Sequence, residues 1–252
     1  TMARTMKRHA LQGVWTVVRF NWHLQAAALA MAAVFLSAPV IVDGPAAFLA
    51  IAAGLGVLVS IILSLVATWW AYDASGLYQM DWLLPEIEGA RRAANIHAGF
   101  DECSEWLESR FPETSWEVFD FYDPGKHTEI SIRRARKARP PMPGTVSVQT
   151  ESLPLADTSL DRVLLFLAAH EIRDHSERVG FFREIHRVVH GDGRVIVTEH
   201  LRDAANIAAY SIGAWHFHTR QEWLRTFDEA GFRVVRSFRN NRFITTFILE
   251  PS

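Results

Sequence analysis

The fold is decided by two stretches in the second half of the chain: LPLADTSLDRVLLFLAAH at Leu153–His170, and FREIHRVVHGDGRVIVTEH at Phe182–His200. The first contains an unbroken apolar run, Arg162–Ala168, as expected for a strand buried on both faces of a parallel sheet. The second belongs to an amphipathic helix, Glu177–Val189, that ends at the turn Gly191-Asp192-Gly193 and leads into a buried strand, Arg194–Glu199. This order predicts a parallel β–α–β unit.

The sequence on either side extends the alternation of strands and helices. Strands are predicted at Ala93–Ala98, Trp116–Phe121, Thr145–Gln149, Phe232–Phe238 and Phe243–Glu250. The last two are expected to pair as an antiparallel hairpin at an edge of the sheet. Helices are predicted at Glu102–Arg110, Thr128–Arg139 and Gln221–Ala230. Residues 93–252 are therefore expected to form a doubly wound, Rossmann-like α/β domain.

The N-terminal third has a different composition. Two runs, Leu24–Val42 and Ala46–Ala71, contain no charged residue, and each approaches or exceeds the roughly 20 residues that a helix needs to cross a bilayer. Between them lies only Asp43-Gly44-Pro45, a turn-forming tripeptide. We expect a transmembrane hairpin at residues 24–72, preceded by an interfacial helix within residues 1–23 and followed by a linker at 73–92. A signal peptide and a pair of buried core helices are the alternatives.

Charged residues around the two runs predict how the hairpin is oriented in the membrane. Arg4, Lys7, Arg8 and Arg19 precede the first run, whereas the tip carries only Asp43. The positive-inside rule then places both termini and the α/β domain in the cytoplasm, with two spans in the cell inner membrane.

Overall composition excludes some classes of protein. The 252 residues include 26 Lys and Arg against 28 Asp and Glu, a net charge of −2, and this balance argues against a nucleic-acid partner. The single cysteine, Cys103, excludes an intrachain disulfide or a multi-cysteine metal site.

The α/β segment resembles the class I S-adenosylmethionine-dependent methyltransferases, especially methyltransferase type 11 and the quinone-biosynthesis branch. Leu153–Val163 is similar to the family's LPF-D-x-S-F-D-x-V segment, and Phe182–Val197 to its REI-x-RVL-x-PGG-x-L-x-I segment. Ala230-Gly231-Phe232 matches the AGF near its end. The resemblance covers about 100 residues and implies S-adenosyl-L-methionine as the cofactor.

The resemblance also implies which residues would hold this cofactor. The family's acidic residue and three alternate glycines correspond here to Asn95, His97, Gly99 and Asp101, so only one glycine is retained. Asp101 is also placed to cap the following helix. Asp120 corresponds to the acid that binds the ribose hydroxyls, with Asp123 as a second choice. Gln149 or Glu151 corresponds to the residue that contacts the adenine amine.

Histidines are the candidate catalytic residues. His170 and His200 follow predicted parallel strands, whose carboxyl ends meet at one edge of the sheet, and His216 and His218 lie on one side of a short segment. We expect these four to converge, with at least one acting as a general base or orienting the substrate. Metal binding by this set is a less favoured alternative. The other interpretation is that His170 is the histidine usual in the family, while His186 and His190 are surface positions on a helix.

Together these features predict a membrane-bound methyltransferase. Its acceptor is expected to be a hydrophobic small molecule or a lipid, such as a quinone-like compound, a thiol or a phenol. The expected partners are the lipid bilayer and this substrate, with a homo-oligomer left open. Two alternatives remain: an enzyme of the same fold with other, metal-assisted chemistry, and a non-catalytic membrane assembly subunit.

Overall fold

A computed structural model of the chain describes residues 8–252; the flanking positions Arg4 and Lys7 lie outside them. The described residues form two long helices, α1 (Gln12–Ser37) and α2 (Gly44–Trp69), and a seven-stranded sheet. The shorter helices are α3 (Leu84–Ile87), α4 (Ser104–Arg110), α5 (Ile130–Ala138), α6 (His175–Val188), α7 (Ala204–Tyr210) and α8 (Arg220–Glu229). The strands are β1 (Arg92–His97), β2 (Ser115–Asp120), β3 (Val146–Ser147), β4 (Leu160–Phe166), β5 (Val189–His200), β6 (Phe232–Arg239) and β7 (Ile244–Pro251).

The strand order is β3-β2-β1-β4-β5-β7-β6, which confirms the predicted doubly wound, Rossmann-like sheet. Strands β1 to β5 pair in parallel, and β7 pairs antiparallel with both β5 and β6. The predicted hairpin is present, but only β6 lies at the edge. The sequences explain this placement, because Ile244–Leu249 is apolar enough to be buried on both faces, whereas β6 carries three arginines.

The two N-terminal helices pack against each other as a hairpin. Both are long and apolar enough to cross a membrane, and little of their surface is buried within the protein. Gly54 lets their backbones approach, since a Cβ there would lie 2.7 Å from Cγ of Leu36. The expected interfacial helix and first span are one helix, α1, with a break at Asn21, where φ is −113° and ψ is 18°.

Residues 73–92, the expected linker, have a defined structure. They form short helical turns whose side chains Leu77, Met80 and Leu83 are almost completely buried. These side chains pack with Phe166 and Ile248 of the sheet. The segment therefore joins the helix hairpin to the α/β domain through a hydrophobic core.

Three local expectations also change. Strand β3 shortens to Val146–Ser147. The glycines expected to form a turn lie within β5, where residues 190–193 bulge, because Leu160 pairs with Val189 and Arg162 already pairs with Arg194. Helix α7 was not predicted; the Asp203 carboxylate caps it by accepting a hydrogen bond from the Asn206 amide.

Candidate active-site cavity

A cavity of about 220 Å³ lies at the carboxyl ends of β1, β4 and β5. The sheet side contributes Asn95, His97, Leu167, His170 and His200, and the opposite side contributes Val17 and Phe20 of α1 with Ile132 and Ala135 of α5. Ligands of open α/β sheets bind at this edge. The cavity is therefore the candidate active site, and the N-terminal helix forms part of its roof.

The loop after β1 is held by a buried polar network. Asn95 donates from Nδ2 to Oγ of Ser104 at 2.7 Å. One carboxylate oxygen of Asp101 accepts hydrogen bonds from the backbone N–H groups of Cys103 and Ser104, each at 3.0 Å. Asp101 thus stabilises the start of α4, as expected from the sequence. Both Asn95 and Asp101 also line the cavity.

His97, at the end of β1, is 3% exposed. Its Nδ1 accepts a hydrogen bond from the N–H of Gly99 at 3.1 Å, which requires the ring proton to reside on Nε2. Nε2 has no hydrogen-bond partner within residues 8–252. Burial lowers the pKa of His97, so the imidazole is neutral and its Nε2–H group is available to a ligand in the cavity. Gly99 has a φ of +87°, a conformation that favours glycine.

Asp120 lies at the end of β2, where the sequence placed a ribose-binding acid, and it is 2% exposed. One of its oxygens accepts from the Tyr122 amide, and the other is paired with the guanidinium of Arg136 on α5. Arg136 also stacks against Tyr122, 4.7 Å from the ring centre, and its Nη1 would lie 3.1 Å from a Cβ at position 99. Arg136 therefore covers both Asp120 and the glycine turn. The second choice, Asp123, is exposed and bonds the amide of Gly125.

The two adenine candidates lie outside the cavity. Gln149 is exposed and forms an isolated bridge with Ser152. Glu151 is also exposed, with its carboxylate 3.5 Å from Nζ of Lys126. Both residues follow the short β3, and neither side chain lines the cavity. The structure thus does not bring either of them to the other predicted cofactor residues.

His170 is oriented by a buried carboxylate. Its Nδ1 lies 2.6 Å from Oε2 of Glu199, whose other oxygen accepts from the backbone N–H groups of Ala168 and His170. Glu199 is fully buried, so His170 keeps its proton on Nδ1 and directs the Nε2 lone pair away from it. Leu167, just before this loop, has a φ of +52°, a strained conformation that recurs at functional sites.

His200 also lines the cavity, but both of its nitrogens have partners. Asn206 donates from Nδ2 to the Phe243 carbonyl, so its Oδ1 accepts from Nδ1 of His200 at 3.1 Å. Nε2 then accepts from the hydroxyl of Tyr72 at 2.7 Å. Burial lowers the pKa of His200 to about 4, so the ring is neutral at physiological pH. His200 therefore holds the Tyr72 hydroxyl in position and has no unpartnered nitrogen to offer to a ligand in the cavity.

The other two histidines do not both converge on the cavity. The ring of His216 lies 5.3 Å from the ring of His170, at the rim. Although burial alone would lower it, hydrogen bonds to Glu129 and Glu171 raise the pKa of His216 to about 9. His218 instead lies against Arg178 and Trp223, where burial lowers its pKa to about 4. The expectation that His218 faces the site is therefore wrong, because α8 begins directly after it and packs on the sheet.

Several cavity residues were not identified from the sequence. Tyr78 donates to the Glu102 carboxylate, which also pairs with Arg8 at 3.0 Å. Arg134 of α5 donates to the carbonyl of Phe20 at 2.7 Å, at the break in α1. Arg134 and Arg136, which lie in the basic run of α5, both make internal contacts. Pairings this distant in the chain leave no local signal in the sequence.

Comparisons with known proteins agree with this geometry. Residues 125–197 match the family described as Methyltransferase domain. No curated protein matches the chain in sequence. Among solved structures, an S-adenosylmethionine-dependent methyltransferase from Aquifex aeolicus is 12% identical, with 68% of this chain and 89% of that chain covered and a TM-score of 0.50. One from Methanosarcina mazei is 14% identical, with 68% and 97% covered and a TM-score of 0.50.

The mitomycin 7-O-methyltransferase MmcR is 16% identical, and its alignment covers 98% of this chain and 74% of that chain at a TM-score of 0.52. At such identities the similarity concerns the fold. It shows that the chain has the fold of the S-adenosylmethionine-dependent methyltransferases, and residues 125–197 are similar to the methyltransferase domain family.

Proposed function

We propose that this protein is a membrane-anchored methyltransferase that transfers a methyl group from S-adenosylmethionine to a hydrophobic acceptor in or near the bilayer. The observation that carries the proposal is the composition of the cavity wall. The methyltransferase sheet forms one side, and Val17 and Phe20 of the apolar helix α1 form the other. An acceptor that partitions into a membrane would meet the reactive edge of the sheet without crossing bulk water. A quinone-like compound, another lipid, or a small phenol or thiol has this property.

The residues around β1 and β2 fit the cofactor in part. Asn95 and Asp101 offer an amide and a carboxylate to the methionyl end, and the unpartnered Nε2–H of His97 offers a hydrogen bond. Asp120 would accept from the ribose hydroxyls once Arg136 has moved. Arg136 is 31% exposed, so its guanidinium can swing into solvent without unfolding α5.

Bound S-adenosylmethionine supplies a methyl group whose bond to the cationic sulfur breaks, with the electron pair kept by sulfur, as the acceptor atom bonds to the methyl carbon. The protein has to align the acceptor and remove its proton. His170 suits the second task, because Glu199 fixes the proton on Nδ1 and leaves the Nε2 lone pair free. The proton would pass from the acceptor to this nitrogen. Tyr72, held by His200, suits a role in orienting the acceptor.

Calorimetric titration of the full chain in lipid nanodiscs tests the cofactor assignment. S-adenosylmethionine and its demethylated product, S-adenosylhomocysteine, should both bind with a stoichiometry of one. Asp120→Ala should weaken binding at least tenfold, because two hydrogen bonds to a charged acceptor are lost. The matched control, Asp123→Ala, removes an exposed carboxylate and should leave the affinity unchanged. Failure of both ligands to bind would overturn the proposal and favour the non-catalytic assembly subunit.

The membrane part of the proposal has its own test. Asp43→Cys, made in a chain whose single native cysteine is buried, should react with a membrane-impermeant maleimide only from the non-cytoplasmic side. The acceptor can then be sought by supplying deuterated-methyl S-adenosylmethionine to membranes and analysing lipid and aqueous extracts by mass spectrometry. Label in the lipid extract is the expected result. Release of the protein from membranes by alkaline carbonate would overturn the anchoring.

A further inference from the structure

Three side chains at the rim of the cavity bring possible metal-ligand atoms together. One ligand atom from each of His170, Glu171 and His216 lies within 4.8 Å of the other two. Oε1 of Glu171 lies 3.6 Å from Nε2 of His170 and 3.5 Å from Nε2 of His216. Two ligands that each lie about 2.1 Å from a tetrahedral ion are about 3.4 Å apart. The separations from Glu171 therefore match those within one coordination sphere.

The two imidazoles are oriented in the same way. Nδ1 of His170 lies 2.6 Å from Oε2 of Glu199, and Nδ1 of His216 lies 2.9 Å from Oε1 of Glu129. Each carboxylate can accept the Nδ1 proton, and the Nε2 atoms of both rings then face Glu171. Histidines that bind metal ions typically donate their second N–H to a carboxylate in this manner.

We propose that His170, Glu171 and His216 form a binding site for a divalent transition-metal ion, for which Zn²⁺ is the best match. Two imidazoles and one carboxylate are a ligand set that Zn²⁺ uses in sites that keep a coordination position open. His170 and Glu171 line the cavity, so the open position would face it. The site lies beyond the carboxyl ends of β4 and β5, whereas Asn95 and Asp101 belong to β1 and the loop that follows it.

Charge around the site favours a cation, with one exception. Glu129, Glu171 and Glu199 supply three carboxylates, against the single guanidinium of Arg173. Nη2 of Arg173 lies 2.7 Å from Nε2 of His216, where it competes with an ion for that nitrogen. The Arg173 side chain is 43% exposed and lies at the end of a loop, so it can turn outward when an ion binds. Replacing Arg173 therefore gives a specific test of the metal site.

A role for the ion in catalysis rests on the proposed function. A cation at this position would attract the oxygen or sulfur of the acceptor, lower its pKa and release its proton to water. The acceptor atom would then bond to the methyl carbon as the bond between carbon and sulfur breaks. In this arrangement the positive charge beside the acceptor is the metal ion. Without the ion, that charge would be the proton that His170 takes up.

Metal binding can be measured on the full chain in detergent micelles after removal of metal with a chelator. Titration with Zn²⁺, monitored by calorimetry and by elemental analysis after dialysis, should show one ion per chain. Glu171→Gln and His216→Ala should each weaken binding at least about 100-fold, and Glu199→Gln by about 10- to 100-fold. His190→Ala, which removes an exposed imidazole outside the cluster, should have no effect. Co²⁺ should give a visible spectrum typical of low coordination number, which the His216→Ala variant lacks.

Arg173→Gln distinguishes a metal site from a network of ion pairs, because it should tighten Zn²⁺ binding by roughly tenfold when a like charge is removed. Misfolding cannot produce such a gain. Equal Zn²⁺ affinity of the wild type and the His216→Ala variant would overturn the proposal, as would weaker binding by Arg173→Gln. This test is separate from the test of the proposed function. Binding of S-adenosylhomocysteine without binding of Zn²⁺ would refute only the metal site. Binding of Zn²⁺ without binding of S-adenosylhomocysteine would refute only the methyltransferase.

Discussion

Replacing Arg136 should make the cofactor bind more tightly while making the protein less stable. In the ligand-free structure the Arg136 guanidinium is paired with the buried carboxylate of Asp120, which the proposed function assigns to the ribose hydroxyls. The cofactor must therefore break this pair before it can bind. Hydrogen bonds to charged groups contribute about 1.5–3 kcal/mol, and the lower end applies here because Arg136 is 31% exposed. A difference of about 1.4 kcal/mol changes affinity tenfold.

Arg136→Gln is accordingly expected to lower the dissociation constant of S-adenosylhomocysteine about tenfold, as measured by calorimetry in nanodiscs. The same change should lower the melting temperature, since Asp120 then lacks its partner in the free protein. Arg133→Gln removes the same charge from an exposed position on α5 and is the matched control. Unchanged or weaker binding by Arg136→Gln would refute the reasoning, because it would mean that the cofactor does not compete with Arg136 for Asp120.

Three further predictions concern stability, each read from thermal unfolding in detergent micelles. Glu199→Gln should lower the free energy of unfolding by about 1.5–3 kcal/mol, because the buried bond to His170 loses its charge; a change below 0.5 kcal/mol would contradict this. As the pH falls from 6.5 to 4.5, the unfolded chain protonates at His200 before the folded chain does, which should cost about 2.5 kcal/mol, or about 5–10 °C in melting temperature. His200→Gln should remove this part of the pH dependence. If the melting temperatures of the wild type and of this variant fall in parallel with pH, His200 is not responsible. Gly54→Val should destabilise the helix hairpin by about 1–3 kcal/mol, because its Cβ would overlap Leu36, whereas Gly56→Val, which meets no atom within 4 Å, should not; equal effects would show that helix propensity alone is responsible.

The sheet could be predicted because its strands are encoded locally. The apolar runs Val163–Phe166 and Val195–Val197 are buried, so composition alone indicates their position. The packing of residues 73–92 could not be predicted in this way. Leu77 and Met80 are buried by side chains from β4 and β7 that come far later in the chain, and a short apolar stretch next to a long apolar helix gives no sign of such partners.

For the site, the sequence indicated where side chains would gather but not how they would pair. His170 and His200 follow parallel strands and therefore had to lie at one edge of the sheet. Whether their nitrogens are free depends on Glu199 and on Tyr72, and Tyr72 lies 128 positions from His200. Gln149 and Glu151 were assigned from the family resemblance, and neither lines the cavity. His218 was misplaced because sequence spacing does not show that α8 begins immediately after it.

The roof that α1 provides has a consequence for attempts to obtain this protein in a simpler form. Deleting everything before Trp82, the usual route to a protein that needs no detergent, would keep the residues of all seven strands. It would remove Val17, Phe20 and Tyr72 from the cavity, and Leu77 and Met80 from the hydrophobic core beside the sheet. A shortened version would then lack the side of the cavity that α1 covers in the full chain. A lack of activity in such a truncated protein would reflect the loss of the cavity wall and would not show that the full chain is inactive.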